Sequence, residues 1–472
     1  MNLLNNPEKR KWMIVVTIFI ALICNYLDRQ LLSILKPTIK AAFDMNDDGY
    51  AFIVNIFLIC YAVMYPISGI LVDRFGPKKV MFLGILAWSA ACIGGGLSTN
   101  MEQFAFFRGL LGLAEPTIFA GQIVAVTVWF EKRQRATANS LCTAGGSIGT
   151  VVAPIVIAWL STIFPWNDVF VLAGAIGILI AIVWMAVYAD PPKEILDVTL
   201  SESAANRHHG KAFTWGGLWK TRTLWGVLLI RFVSDPVWYF CLFWLPGYLQ
   251  EDSGLTLIQV GWVGWIPFLF GAVGGVLTSA WSDKMVRKGM DPLRARKRMM
   301  TLVAVAAPLC IFTPYFNALP PYWNVAAIIA SFSLIAIMCL SWLYTICVVI
   351  AEAFPVRNVA SVVGITAGFG AVGGAIFNYY VGQLLSTMGP SLFLVMGVLH
   401  WIAVVILWKM TRPEIPQEKQ AVQKYKPKPW KRKLRPSANP PATSPYAHRR
   451  TYSSSAGARR GSWPHRPQRA RD

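Results

Sequence analysis

Charge is what this chain has least of. Only 14% of its 472 residues are Asp, Glu, Lys or Arg, against about 25% in an average soluble domain. A water-facing surface of ordinary size cannot be built from so few charges. An ordinary cytosolic enzyme is therefore excluded, and so is a disordered chain, because 55% of the residues are apolar. Histidine is also scarce, with five residues: His208, His209, His400, His448 and His465. No HExxH pair and no cluster of ligands accompanies them, so metal-dependent hydrolysis has no footing. The eight cysteines lie singly inside apolar stretches, with no CxxC pair. They read as small core residues, not as a disulfide framework or zinc site. Enzyme chemistry is not expected, nor is any cofactor or metal.

What the chain does have is length in its apolar runs. A membrane-crossing helix needs about 20 mostly apolar residues. Such runs lie near 12–35, 52–72, 80–98, 104–129, 139–163, 168–189, 224–249, 259–281, 299–316, 323–350, 359–385 and 391–410. The mean hydropathy of +0.48 agrees. Backbone polar groups in lipid must be satisfied within the segment, which predicts helices. The first run is too long for a signal peptide and lacks a small-residue cleavage site. The expected fold is therefore all-α, with twelve transmembrane helices in two six-helix bundles. Residues 1–189 form the first, 190–223 a linker and 224–410 the second.

The net charge of +21 suggests nucleic acid only until it is mapped. Residues 411–472 hold 16 Lys/Arg against three Asp/Glu, with ten prolines. That composition predicts a basic, disordered cytoplasmic tail suited to anionic lipid. No nucleic-acid partner is expected. In the rest of the chain, the N-terminus and the loops 73–79, 130–138, 190–223, 282–298 and 351–358 hold 22 Lys/Arg, and the opposite loops hold two, Lys36 and Lys40. This asymmetry predicts that both termini are cytoplasmic.

The two halves carry a weak repeat. Gly69-Ile70-Leu71-Val72-Asp73-Arg74 follows the second run, and Gly275-Val276-Leu277 with Ser282-Asp283-Lys284 follows the eighth. Repeated halves around a central site are a transporter architecture. Gly69 to Lys79, with Asp73, Arg74, Gly76 and Pro77, resembles the loop signature of the major facilitator superfamily. Arg108-Gly-Leu-Leu-Gly112-Leu-Ala-Glu115-Pro116 resembles its fourth-helix motif. Asn25-Tyr26-Leu27-Asp28-Arg29 and the stretch from Ser234-Asp235-Pro236 to Tyr248 are similar to its anion:cation symporter branch, the hexuronate and galactonate type. The resemblance covers roughly residues 10–412.

Six ionisable residues sit inside the apolar runs: Asp28, Arg29, Arg108, Glu115, Arg231 and Asp235. Burying a charge at that depth costs about 2.5–3.5 kcal/mol on insertion scales, so each is a functional candidate or half of a structural ion pair. Arg29 offers a planar, permanent charge for a carboxylate, and the resemblance implies that role. It also implies that Asp28 and Glu115 carry coupled protons, with salt-bridge scaffolding as the bland reading. Arg108 lies two turns from Glu115 and could exchange between Glu115, Asp28 and a bound anion. Pro116 is expected to kink the helix beside Glu115. Arg231 and Asp235, spaced i and i+4, could simply neutralise one another.

Tyr61, Trp238, Asn378 and Tyr379 are further candidates for the sugar. Asp73, Arg74, Gly69, Gly76 and Asp283 are candidates for a gating loop, with Asp73 expected at a helix N-terminus. Some members of the branch use a glutamine in the fifth run. Thr143-Ala144-Gly145-Gly146-Ser147 has none, which implies a sugar acid other than galactonate. The glycine groups 145–149 and 370–374 read as close helix packing, not as nucleotide loops.

The expectation is a monomeric, multi-pass carrier of the bacterial inner membrane that takes up a small anionic carbohydrate with protons. Sodium is not excluded as the coupling ion. Another organic anion, export, or a receptor that binds without transporting are the alternatives.

Overall fold

The computed structural model describes residues 6–192, 213–320, 322–388 and 391–414. The tail expected to be disordered and most of the linker lie outside these residues. The described chain is helical. In order, α1 is Pro7–Ile34, α2 Lys36–Ala42, α3 Asp47–Gly96, α4 Met101–Ala114, α5 Pro116–Trp129, α6 Lys132–Leu160 and α7 Trp166–Val187. Then come α8 Trp215–Trp219, α9 Arg222–Phe243, α10 Leu245–Glu251, α11 Leu257–Val263, α12 Ile266–Arg287 and α13 Pro292–Ala304. A 3-10 helix, Ala307–Ala318, precedes α14 Trp323–Ala353, α15 Val356–Met388 and α16 Ser391–Met410. Among the described residues, eleven helical stretches are long and apolar enough to cross a membrane.

One of the eleven, α3, has 50 residues. At 1.5 Å per residue it would be about 75 Å long, over twice a bilayer's hydrocarbon core. It is broken at Gly76, whose φ of 79° and ψ of 156° leave the helical region. A side chain at that φ would be strained, so glycine is needed there. Pro77 opens the second segment, where its missing N–H is no loss. Asp73 consequently sits near the end of the first segment and is exposed. The expected N-terminal position is corrected: the chain turns at Gly76, not before Asp73.

Local chemistry sets the other ends. Asn6, Asn46, Asn100 and Asp291 cap helices through side-chain oxygens, and Thr256 forms a reciprocal capping box with Gln259. Pro116 separates α4 from α5 at Glu115, as the sequence predicts. Two expected runs are interrupted. The seventh ends at Phe243, because Pro246 starts the separate α10. The ninth passes from α13 into the 3-10 helix, which contains Pro308 and Pro314; each removes a backbone donor.

In the first half, α1 packs on α6, and α3 on α4 and α7. In the second, α9 packs on α15 and α16, and α12 on α14. Glycines permit the close approaches. A Cβ on Gly149 would stand 2.6 Å from the Ile23 carbonyl oxygen of α1. Gly373 of α15 meets the Phe232 main chain of α9 in the same way. The halves touch where α15 meets α3 and where α11 meets α6. Large apolar side chains such as Phe106, Leu179 and Trp262 cover the outside, as lipid exposure requires.

Candidate functional site

The break at Glu115 and the polar stretch of α1 place an ion pair in the middle of the first half. Arg29 donates from Nε (3.1 Å) and Nη2 to Oε2 of Glu115. Both side chains are buried, Glu115 completely. The Arg29 guanidinium lies over the rings of Tyr26, Phe57 and Tyr61, at 5.0, 5.4 and 5.0 Å. Such stacking suits arginine and leaves its edge for hydrogen bonding. Behind the pair sits a second polar layer. Arg108 Nη1 reaches the Asp28 main-chain oxygen at 3.5 Å, and Asp28 Oδ1 faces Cys92 Sγ at 3.9 Å. Arg108 Nε and Nη2, Asp28 Oδ2, Glu115 Oε1 and both amide atoms of Asn25 are buried without a hydrogen-bond partner among the described residues. Unsatisfied groups at this depth are costly, so the arrangement is poised to re-pair.

Arg29 opens onto a cavity of about 440 Å³. The first half contributes Tyr26, Tyr61, Tyr65, Thr143, Ser147 and Thr150; the second contributes Arg231, Asp235, Trp238, Tyr239 and Tyr344. The volume is that of a small-molecule site. The lining also includes Ile346, Ile350, Val363 and Thr366, so the cavity reaches toward the molecular end that carries loops 130–138 and 351–358. At the opposite end the halves are latched. Lys36 binds Glu251 (2.6 Å) and Asp47 (2.9 Å), and Lys40 binds the same two acids at 2.9 Å. Tyr50 donates to the Phe243 carbonyl at 2.6 Å. Trp244 donates to Asn378 Oδ1 at 2.6 Å, and Asn378 Nδ2 donates to the Ala51 carbonyl at 3.0 Å.

The expected site residues therefore divide. Arg29, Tyr61 and Trp238 line the cavity, as do Arg231 and Asp235. Glu115 holds Arg29 and Asp28 lies behind it. Three expected sugar contacts are not on the cavity wall. Arg108 is buried in the layer behind, because seven residues carry it two turns down the helix from Glu115. Asn378 is occupied by the latch. Tyr379 is 58% exposed and faces an outer apolar groove of about 600 Å³ beside Asn55, Pro66 and Tyr380. Adjacent helical residues point about 100° apart, which is why Asn378 and Tyr379 part company.

Among the gating candidates, Gly69 has open space around it, and Asp73 and Arg74 are exposed with no ion pair among the described residues. Asp283 pairs with Arg296 at 2.6 Å, and Arg296 also reaches Glu352 at 3.2 Å. Gly145-Gly146-Ser147-Ile148-Gly149 also fits the G-x-S-x-G spacing of a hydrolase elbow, but it lies inside α6 and not on a strand-to-helix turn. Sequence reasoning missed the hydroxyl row Thr143, Ser147 and Thr150, whose 3–4 spacing was its visible signal. It also missed the latch, although Lys36 and Lys40 were already the two basic residues on their side.

The family model of the Major Facilitator Superfamily matches residues 18–348. The chain belongs to this superfamily. It is a multi-pass membrane transporter and not an enzyme. A probable L-galactonate transporter of Escherichia coli K12 is 30% identical over 60% of this chain and 64% of its own length. The hexuronate transporter of the same strain is 25% identical over 84% and 93%. A probable galactarate/D-glucarate transporter of that strain is 27% identical over 85% and 94%.

Among solved structures, the fold is shared with a bacterial homologue of the human lysosomal transporter Spinster, inward-facing and occupied. That likeness has a TM-score of 0.68 at 17% identity and covers 85% of this chain and 97% of that one. The fold is also shared with a D-xylose–proton symporter (TM-score 0.68, 13% identity, 85% and 98% covered).

Proposed function

We propose that this transporter is a proton-coupled symporter that takes up a sugar acid by alternating access. The observation that carries the reading is the Arg29–Glu115 pair, with Arg29 on the cavity wall and Glu115 buried beside it: a permanent cation held by an acid that an incoming carboxylate can replace. A proton on Glu115 releases Arg29 from it, and the substrate carboxylate takes the vacated edge. Tyr26, Tyr61 and Ser147 line the same space, and residues bearing hydroxyls suit a polyol. The transport of sugar acids by the relatives named above supports the substrate class.

In this reading the chain crosses the membrane twelve times, α3 counting as two crossings about Gly76. Both termini are cytoplasmic, in the inner membrane of a bacterium, and the cavity faces inward while the latch closes the outer end. Protons, not sodium, suit the site. Two guanidiniums flank the two acids and repel a metal cation, whereas a proton neutralises a carboxylate in place. Moving a monovalent anion inward against 100 mV costs about 2.3 kcal/mol. One proton makes the cycle electroneutral, and a second, on Asp28, lets the voltage drive uptake.

The test is uptake of labelled glucuronate, galacturonate and galactonate into proteoliposomes with imposed pH and voltage gradients. Accumulation that a protonophore collapses is expected. Glu115→Gln should keep substrate counterflow and lose accumulation; accumulation at the wild-type level would refute the coupling role.

A further inference from the structure

The cavity is lined by a second arginine, Arg231, besides Arg29. Arg231 and Asp235 lie on α9, the first long helix of the second half, as Arg29 lies on the first helix of the first half. Arg231 Nε donates to Asp235 Oδ2 at 2.7 Å, and Ser234 Oγ lies 3.5 Å from Oδ1. Both residues are almost fully buried, yet both line the cavity. A pair that served only to neutralise two charges would sit equally well in a helix interface, away from the cavity. Here Gly370 of α15 keeps space over the Asp235 carboxylate, which a Cβ would strike. Arg231 uses only Nε in the pair; its Nη1 and Nη2 make no hydrogen bond among the described residues. The same is true of Nη1 on Arg29, whose other donors are held by Glu115.

We infer that Arg231 is a second carboxylate subsite, and that the preferred substrate is a sugar diacid, with one carboxylate on Arg29 and the other on Arg231. This rests on the proposed function and narrows its substrate class. A six-carbon chain built from single bonds of ~1.5 Å spans ~6 Å end to end, which a cavity of about 440 Å³ contains. Tyr26, Tyr61 and Tyr65 from the first half and Trp238 and Tyr239 from the second line the same cavity and supply flat faces and hydroxyls for the hydroxylated carbons between the ends. The two halves then grip one ligand at its two ends, so closing around it is coupled to binding. Each pair is internally neutral. A carboxylate arriving at Arg231 takes the Nη edge that Asp235 leaves free, and one arriving at Arg29 takes the place of Glu115 once Glu115 is protonated.

The test compares galactarate, galacturonate and galactitol as competitors and as labelled substrates, using the full chain in proteoliposomes. The wild type should prefer galactarate to galacturonate and ignore galactitol. In the double variant Arg231→Gln/Asp235→Asn, which leaves no unpaired charge, the galactarate-to-galacturonate preference should fall at least about 30-fold, the range for truncating a buried charge contact. Arg231→Lys should fall between, because it keeps the charge and loses the planar fork. Galacturonate uptake without galactarate uptake in the wild type would overturn this inference and leave the symporter reading standing. An equal loss for both acids in the double variant would also overturn it, making the pair a general structural element. Uptake of neither acid by folded protein would overturn both readings.

Discussion

The latch at the outer end makes the sharpest prediction. Glu251 lies on the second half, and Lys36 and Lys40 on the first, so Glu251→Gln weakens a clasp between the halves without touching the cavity. At about 3 Å and an effective dielectric of about 20, each pair has a gross attraction of about 5 kcal/mol. Most of this is cancelled by desolvation and side-chain ordering. Lys36 is 2% exposed, against 28% for Glu251. Its contact belongs near the lower end of the range for buried charged hydrogen bonds, about 1.5 kcal/mol.

Lys40 is 20% exposed and its pair belongs to the surface range, about 0.2–1 kcal/mol. Glutamine keeps one neutral hydrogen bond, and Asp47 still holds Lys36. The net loss is therefore about 1–2 kcal/mol, a shift of about 5- to 30-fold in the ratio of latched to unlatched molecules. Nitroxide labels at the exposed positions Thr162 and Ala318, one on each half, would read this by pulsed electron resonance distances, with the accessible cysteines replaced. The unlatched population should grow in the variant, and salt should shift the wild type more than the variant. An unchanged distance distribution would refute the assignment of the latch.

Other outcomes follow from single contacts. Asn378→Ala should leave the Trp244 indole N–H unpaired and cut the bond to Ala51, costing about 1–3 kcal/mol; the same labels should report opening, with galacturonate affinity little affected. Gly149→Ala should lower the melting temperature, because its Cβ meets Ile23 backbone that cannot yield, at about 1–3 kcal/mol for overpacking. Gly69→Ala, inside α3 with open space around it, should hold or raise the melting temperature. The latch should also weaken in alkali, through Lys40. Partial burial works against the Lys40 ammonium, but its hydrogen bonds to Asp47 and Glu251 outweigh this and raise its pKa above the ordinary 10.5. A raised lysine stabilises fully below that ordinary value and loses its contribution as pH rises through the folded-state value. The labelled distances should therefore hold from pH 7 to about pH 10.5 and lengthen only above it.

Much of this was legible in one dimension, for a physical reason in each case. Lipid imposes length and apolarity on every crossing, so the apolar helices could be located along the chain, although eleven stretches qualify among the described residues where the sequence suggests twelve. The cost of burying charge made Asp28, Arg29, Arg108, Glu115, Arg231 and Asp235 visible as a short list before any contact was known. Pro116 announced the break beside Glu115, since proline carries no donor. The break at Gly76 was equally readable, but which side of it Asp73 would occupy was not.

Pairing was decided only by tertiary structure. Nothing in the spacing says that Glu115, 86 residues away, holds Arg29 while Arg108 on the same helix faces a carbonyl; that depends on how α1 leans against the α4–α5 break. The same holds for Asn378 and Tyr379, neighbours in sequence that serve a latch and an outer groove. Sequence by itself determined the fold class and the charges inside the apolar runs, because burial energy is a property of residue type and run length; it did not show that Lys36, outside those runs, is buried as well. Only helix packing decided which partners meet, Glu115 on Arg29 inside the first half and Glu251 on Lys36 and Lys40 between the halves, because direction on a helix acquires meaning when a second helix is placed beside it.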